Sequence, residues 1–235
     1  IINSSSNQTR VAITEDGDLA DFFVDYPENR RMVGDIYLGR VARVLPGIRA
    51  AFIDIGMKHD GFLHFSDIGE EDSDVDLSDD DESKPNRTNG NGTSAPPAEH
   101  VVTKLRKGEE ILVQITKEPV SNKGVRVTSS VSLPGRFCVL LPFDNKIGIS
   151  KKISDYKERR RLRSIARGIL PPNYGLIIRT VAKDQTEDAV KDDLTNLVKT
   201  WKTIEAAAKS EEPPSLVHQD LSTTDSVIRD LLTPD

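Results

Sequence analysis

The sequence predicts an α+β protein in which a small five-stranded β-barrel is followed by a mixed α/β segment. Three observations carry this expectation. Between Ile36 and Val131 the chain shows five short, closely spaced apolar runs of strand type, punctuated by Pro46-Gly47, Gly56 and Asn122-Lys123-Gly124. Beyond Leu133-Pro134-Gly135 the apolar period changes, and short strand-like runs alternate with stretches at helical spacing. Between them, Glu70 to about Glu99 combines an acid run with Lys84-Pro85-Asn86, Asn89-Gly90-Asn91-Gly92 and Pro96-Pro97, and has too little apolar surface to offset the entropy of ordering.

Taken in order, Val11 and Ile13, then Asp16-Gly17, then Leu19, Phe22 and Val24 read as a hairpin around a dipeptide that tolerates positive φ. The barrel strands follow as Ile36 to Leu45, Arg49 to Ile55 and Gly61 to Phe65. After the acidic stretch come the alternating Ile111, Val113 and Ile115, then Val125, Val127 and Val131. The acidic stretch, at about 69–100, is therefore expected to be a disordered loop between the third and fourth barrel strands, tolerated because the cost of closing a loop grows slowly with its length. Next come a strand at Phe137 to Leu141, an alternation at Ile147 and Ile149, and a helix capped by Ser154 that runs to about Arg167 and Gly168 before Pro171-Pro172. Leu176, Ile177, Ile178 and Val181 predict a short strand with Arg179-Thr180 at its end. Asp184 with Glu187 resembles a capping box, opening a long helix with Val190, Leu194, Leu197, Val198, Trp201, Ile204 and Ala208 on one face. Leu216-Val217 predicts a last strand, and Thr224 to Leu232 a last helix.

The formal charge of −6 would argue against a polyanionic partner if it were spread evenly. Residues 70–100 hold ten acids and two bases, a net of −8, which leaves +2 for the remainder. Lys151 to Arg167 alone carries eight bases and two acids. That run could track a nucleic-acid backbone, but most of it reads as a solvated helix face, because Arg159, Arg160 and Arg161 point three ways around one turn. Hydrophobic residues at 36 % and aromatics at 5 % are lean for a chain of 235 residues, in keeping with a part that adds nothing to a core.

Cys138 is the only cysteine and lies in an apolar run, which excludes an intrachain disulfide and suggests a buried thiol in a reducing, cytoplasmic setting. No stretch approaches the roughly 20 apolar residues of a membrane span, and no signal segment opens the sequence. Ile1 and the run Leu231 to Asp235 read as cuts, so the chain is expected to be a piece of a longer protein. His59, His64, His100 and His218 lack metal-ligand spacing, and neither a P-loop nor a dinucleotide fingerprint occurs.

The candidate binding residues are Phe52 and Phe62 on adjacent barrel strands, with His64 and Lys117 nearby. On OB-type barrels such aromatics stack on unpaired bases while lysines hold the phosphates. The same two side chains could equally fill the barrel interior, since strand parity is open at the turns. Arg179-Thr180 offers a guanidinium fork and a hydroxyl, the groups a terminal phosphate needs, and by itself reads as an ordinary strand end.

The run Ile36-Tyr37-Leu38-Gly39-Arg40 through Ala50-Ala51-Phe52-Ile53-Asp54-Ile55-Gly56 to His59-Asp60-Gly61-Phe62-Leu63 resembles the RNA-binding OB module of the bacterial ribonuclease E/G family. Gln114-Ile115-Thr116-Lys117-Glu118, Asn122-Lys123-Gly124, Ser132-Leu133-Pro134-Gly135-Arg136, Gly148-Ile149-Ser150 and Gly175 to Thr180 follow in the family's order and at about its spacing, and the Ile2-Asn3 strand and the closing helix with Trp201 and then Val217-His218-Gln219 look like its split RNase H-like subdomain. Apart from the insertion, the resemblance covers essentially the whole chain. It implies parts of an RNase H-like subdomain at 1–33 and 185–235, an OB barrel with its insertion at 34–131, and a 5′-phosphate sensor at 132–184. It places Phe52, Phe62 and Lys117 as RNA contacts, and Arg179 and Thr180 in a 5′-monophosphate pocket. Ile55 departs from the pattern, which has an aromatic there, and the insertion is longer and more acidic than the loop it replaces; it reads most simply as a neutral spacer, with repulsion of RNA or autoinhibitory mimicry of it as the alternatives.

The function so implied is RNA binding by the amino-terminal piece of a single-strand endoribonuclease of RNA processing and decay. Cleavage would use a magnesium ion held by paired aspartates, and zinc would link protomers of a homo-oligomer; both sets of ligands are expected outside residues 1–235. A different class of reading is a non-catalytic single-strand RNA-binding adaptor in translation or decay, and a third is a barrel that binds protein.

Overall fold

A computed structural model describes residues 1–26, 30–69, 105–121 and 123–231. The acidic insertion from Glu70 onward and Asn122 of the predicted turn lie outside the described residues. The chain opens with an antiparallel sheet of β1 (Ile2–Ser4), β2 (Thr9–Glu15) and β3 (Asp18–Asp25). Asp16 and Gly17 turn β2 into β3 with φ of 54° and 90°, the left-handed pair that hairpins favour.

The barrel is built from β4 (Ile36–Leu45), β5 (Ala50–Asp54), β6 (Gly61–His64), β7 (Glu110–Lys117) and β8 (Arg126–Thr128). The strands pair in the order β4-β5-β6-β8-β7, and β7 returns to β4 through Ile36↔Gln114 to Arg40↔Glu110, which closes the cylinder. Closure removes free strand edges. Inside lie Val41, Ala51, Ile53, Ile55, Leu63, Phe65, Val113, Ile115, Val125 and Val127. The barrel exit is pinned to its entry by the buried Gln114, whose amide donates to the carbonyls of Gly34 (3.0 Å) and Ser132 (2.9 Å) and accepts from Ser132 N–H (2.9 Å). A last strand of the chain, β13 (Ser215–His218), adds to the first half of β4 beside β5.

Between the barrel and β13 lies a second sheet, β11-β12-β10-β9, formed by β9 (Leu133–Pro134), β10 (Cys138–Leu141), β11 (Ile147–Ile149) and β12 (Gly175–Ile178). Helices α1 (Tyr156–Ile169) and α2 (Glu187–Ser210) pack on it and share one core, in which Leu140, Leu162, Leu176, Ile178, Trp201 and Ile204 are buried. Helix α3 (Thr223–Leu231) contacts β3, so the two ends of the described chain meet. There the buried Asp35 accepts from Arg30 and, at 2.9 Å, from the Asp220 N–H. Among the described residues no helix is long and apolar enough to cross a membrane.

The α+β class and the closed barrel agree with the sequence expectation; several local details do not. Leu133–Pro134, expected to be only a break, forms a two-residue strand against β10. Helix α1 is capped by Asp155, not Ser154, through a 2.9 Å bond from Lys157 N–H, and it passes Gly168 to stop at Ile169 ahead of Pro171. Asp184 has a left-handed φ of 61° and gives its N–H to Glu158, so Thr186 caps α2 instead, accepting from Ala189 N–H at 3.3 Å. Val181 lies in the 3-10 turn Thr180–Ala182, beyond the end of β12.

Candidate nucleic-acid interface

On β5 and β6 the side chains alternate across the barrel wall. Ala51, Ile53 and Leu63 are fully buried, so Phe52 and Phe62 between them face outward. The core alternative for the two rings does not hold. They are direct register partners, and their rings meet edge to face with centroids 5.8 Å apart.

The register continues to both sides. Phe62 stands across from Arg126, Arg126 across from Lys117, and Phe52 across from Arg43, giving one row, Lys117–Arg126–Phe62–Phe52–Arg43, over all five strands. Two bulges make this row. Val41 pairs with Ile53 and Arg43 with Phe52, so Ala42 is an extra residue; Ile115 pairs with Val127 and Lys117 with Arg126, so Thr116 is another. Regular pairing would have put Ala42 and Thr116 in those places and left out both cations. The Arg43 guanidinium carbon is 5.1 Å from the centre of the Phe52 ring, within cation–π range, and a terminal nitrogen of Arg43 is 3.8 Å from the Asp60 carboxylate.

An open groove of about 690 Å³ runs along the rings, lined by Arg43, Phe52, Phe62, Lys58, Lys123 and Arg126 with His59, Asp60 and Gly124. Gly124 is required here, since a Cβ at this position would lie 2.0 Å from the Asp60 carbonyl oxygen. Arg126 is fixed by Asp67, which accepts from its Nε at 3.0 Å and its terminal nitrogen at 2.7 Å. Lys58, Lys117 and Lys123 form no ion pair among the described residues. Lys117 is exposed at the end of the row, outside the groove's lining. His64 caps a 3-10 turn, accepting from Ser66 N–H at 3.2 Å, and Ile55 is 2 % exposed in the barrel core, where it can stack on nothing outside. Arg43, Lys58, Lys123 and Arg126 were not singled out from the sequence; only register and loop placement bring them beside the rings.

The second candidate pair sits at the end of β12. Arg179 gives one terminal nitrogen to the Gly135 carbonyl and to the Asp230 carboxylate, each at 2.6 Å. Thr180 Oγ1 is 2.9 Å from Ser150 Oγ at the end of the parallel neighbour β11. The Gly135 turn is held by Asp193 of α2, whose carboxylate accepts from the N–H groups of Arg136 (3.1 Å), Phe137 (2.8 Å) and Cys138 (3.1 Å) and lies 3.4 Å from Cys138 Sγ. Burial, with Asp193 adding to it, pushes the Cys138 thiol well above its ordinary pKa, so it stays protonated. Burial also acts to raise the pKa of Asp230, but hydrogen bonds from Arg229 and Arg179 hold it below the ordinary carboxylate value. Among the described residues no three His, Cys, Asp or Glu side chains are grouped to hold a metal ion.

Comparison with known proteins parallels this layout. The model described as S1 RNA binding domain matches residues 30–129, and that described as Ribonuclease E/G family matches residues 132–235. The chain is similar to Ribonuclease E of Synechocystis sp. (strain ATCC 27184 / PCC 6803 / Kazusa), 40 % identical over 202 residues, which is 86 % of this chain and 27 % of the relative. It is similar to Ribonuclease G of Haemophilus influenzae, 31 % identical over 232 residues, or 99 % of this chain and 45 % of the relative. Ribonuclease G of Escherichia coli (strain K12) is 31 % identical over 238 residues, or 98 % and 44 %. The chain thus spans less than half the length of each of these relatives. With one model on the barrel, the other on the segment that carries Arg179 and Thr180, and relatives aligned across both, the chain belongs to the ribonuclease E/G family.

Proposed function

We propose that this chain is the RNA-engaging portion of an endoribonuclease that cleaves single-stranded RNA in RNA processing and decay, and that it binds single strands on the barrel's outer row. The observation that carries this reading is the pair Phe52 and Phe62, outward-facing, in ring contact and flanked by Arg43, Arg126 and Lys117. Two apolar rings on a surface suit a flat partner whose faces are free, and in a duplex the base faces are already stacked. Each base stacked would contribute about 1–3 kcal/mol, and the cations beside it would take the phosphates with release of counterions.

Arg179 and Thr180 are proposed to receive the 5′-monophosphate. The planar guanidinium fork pairs with phosphate oxygens and the hydroxyl adds a donor, while Gly135 and Ser150 orient the two groups. In the present arrangement Asp230 already takes one terminal nitrogen of that fork, so the phosphate competes with it there.

Hydrolysis is assigned to magnesium held outside residues 1–235, and a zinc link between protomers is assigned there as well. Among the described residues no three His, Cys, Asp or Glu side chains come together, and the sole thiol is protonated and buried. A homo-oligomer acting in the cytoplasm completes the proposal for the whole protein.

The class of partner is tested by fluorescence anisotropy of this chain with a labelled single strand and with the same strand annealed to its complement. Preference for the single strand is expected; equal affinity would reassign the surface. In the full-length enzyme, Arg179→Ala should lower cleavage of 5′-monophosphorylated RNA and spare 5′-hydroxyl RNA, and equal loss on both would count against the pocket.

A further inference from the structure

Helix α1 turns its apolar side to the second sheet and something different to solvent. Glu158, Leu162, Ile165 and Ala166 are buried. Opposite them, Tyr156, Arg160, Arg163 and Arg167 follow at i, i+4, i+7 and i+11, which places all four within roughly a 60° sector of the helix. With Arg159 and Ser164 they line an open groove of about 420 Å³.

Of the helix's other charges, all but the exposed Lys157 are used within the fold. Arg159 donates to the carbonyls of Ser150 (3.0 Å) and Ile153 (3.2 Å), and Arg161 forms a two-bond pair with Glu158 at 2.7 Å each. Asp155 spends its carboxylate on the helix cap. For Arg160, Arg163 and Arg167 no carboxylate is within reach among the described residues. Three like charges at helical-neighbour spacing repel one another by a few tenths of a kcal/mol per pair. The fold gains nothing visible from them.

We infer that this stripe is a second track for the phosphodiester backbone of RNA, continuous with the barrel-bound strand's 5′ end. The inference rests on the RNA-binding reading proposed above. Guanidinium groups pair in two-bond fashion with phosphate oxygens, and Tyr156, 68 % exposed at the head of the stripe, offers a ring to a base. A lipid surface is the poorer fit, because the apolar side of α1 is buried against the sheet and cannot enter a bilayer. Position favours the same partner as the rest of the molecule. Arg159, on the groove wall, holds the carbonyl of Ser150, whose hydroxyl is 2.9 Å from Thr180 Oγ1, so the track begins beside the residue assigned to the 5′-phosphate.

The test compares this chain with its Arg160→Gln/Arg163→Gln/Arg167→Gln variant on one labelled 5′-monophosphorylated single strand over a series of salt concentrations. The plot of log K against log salt should flatten by about 2 units of slope, three contacts at roughly 0.7 each, and affinity at low salt should fall about tenfold or more. Because no side-chain hydrogen bond or ion pair ties these three arginines to the rest of the described residues, the melting temperature should not move. If the triple variant melts early, the single variants Arg160→Gln and Arg167→Gln decide, each expected to take roughly 0.7 from the slope. An unchanged slope with intact binding overturns the track and leaves the barrel reading standing. No binding by the unaltered chain would sink the barrel reading, and the track with it. Loss of adhesion to phosphatidylserine vesicles with an unchanged RNA slope would assign the stripe to a membrane surface instead.

Discussion

The guanidinium of Arg179 and the carboxylate of Asp230 are joined at 2.6 Å, and Arg229 clamps the same carboxylate through Nε at 3.1 Å and a terminal nitrogen at 2.9 Å. Held charged by these two partners, Asp230 places an anion where a phosphate is proposed to bind. Asp230→Asn should therefore raise the preference of this chain for 5′-monophosphorylated over 5′-hydroxyl RNA by roughly tenfold, about 1.4 kcal/mol. Titration of the two 5′-end forms of one RNA reads this directly. A ratio that stays put would show that Asp230 does not compete.

Asp193 holds the turn at Gly135, whose carbonyl accepts from Arg179. Its carboxylate satisfies three consecutive N–H groups, and Gly135 packs so closely that a Cβ there would come within 2.5 Å of it. Asp193→Ala strands those donors in a half-buried place, and a loss of about 2–4 kcal/mol in unfolding free energy is expected, measured by urea denaturation. A loss below about 0.5 kcal/mol, the range of ordinary surface changes, would mean that water serves the donors equally well.

Acid should loosen the contact between α1 and the turn before α2. Hydrogen bonds from Arg161, working against burial and helped by the Asp184 N–H, bring the Glu158 pKa from 4.5 to about 2. A depressed carboxyl contributes stability above its unfolded value, and that contribution is lost as pH falls from about 4.5 to about 2. With Glu158 only 10 % exposed, the contribution is on the order of 2 to 3 kcal/mol. Unfolding curves collected across this window should fall in the unaltered chain and run flatter in Glu158→Gln. Parallel curves would contradict the assignment.

How far the sequence reaches can be judged on particular residues. The barrel was legible because Pro46-Gly47 and Gly56 bound runs whose apolar alternation matches a two-sided wall, and because closure needs only that pattern. Phe52 and Phe62 were legible as neighbours but not as surface residues, since parity after a turn is free by one residue until Ala51, Ile53 and Leu63 are seen inside. Arg43 and Arg126 were out of reach for a sharper reason. Each enters the row through a pairing that a one-residue bulge or a parallel contact decides, and neither Ala42 nor Thr116 announces a bulge. The stripe on α1 is masked in the sequence by the consecutive arginines at 159–161, which point three ways, whereas the helix repeats at 160, 163 and 167. Caps failed by one or two residues, as at Ser154 and Asp184, where backbone conformation and not residue type selects the acceptor.

The central claim is that unpaired bases stack on the barrel's two outward rings, and the affinity of this chain for a labelled single-stranded RNA, with and without Phe52→Ala/Phe62→Ala, tests it most directly. Two lost stacks should weaken binding by roughly 30-fold or more, with the salt slope unchanged because no charge is removed. A double variant that melts like the unaltered chain and binds the strand with undiminished affinity would contradict the account.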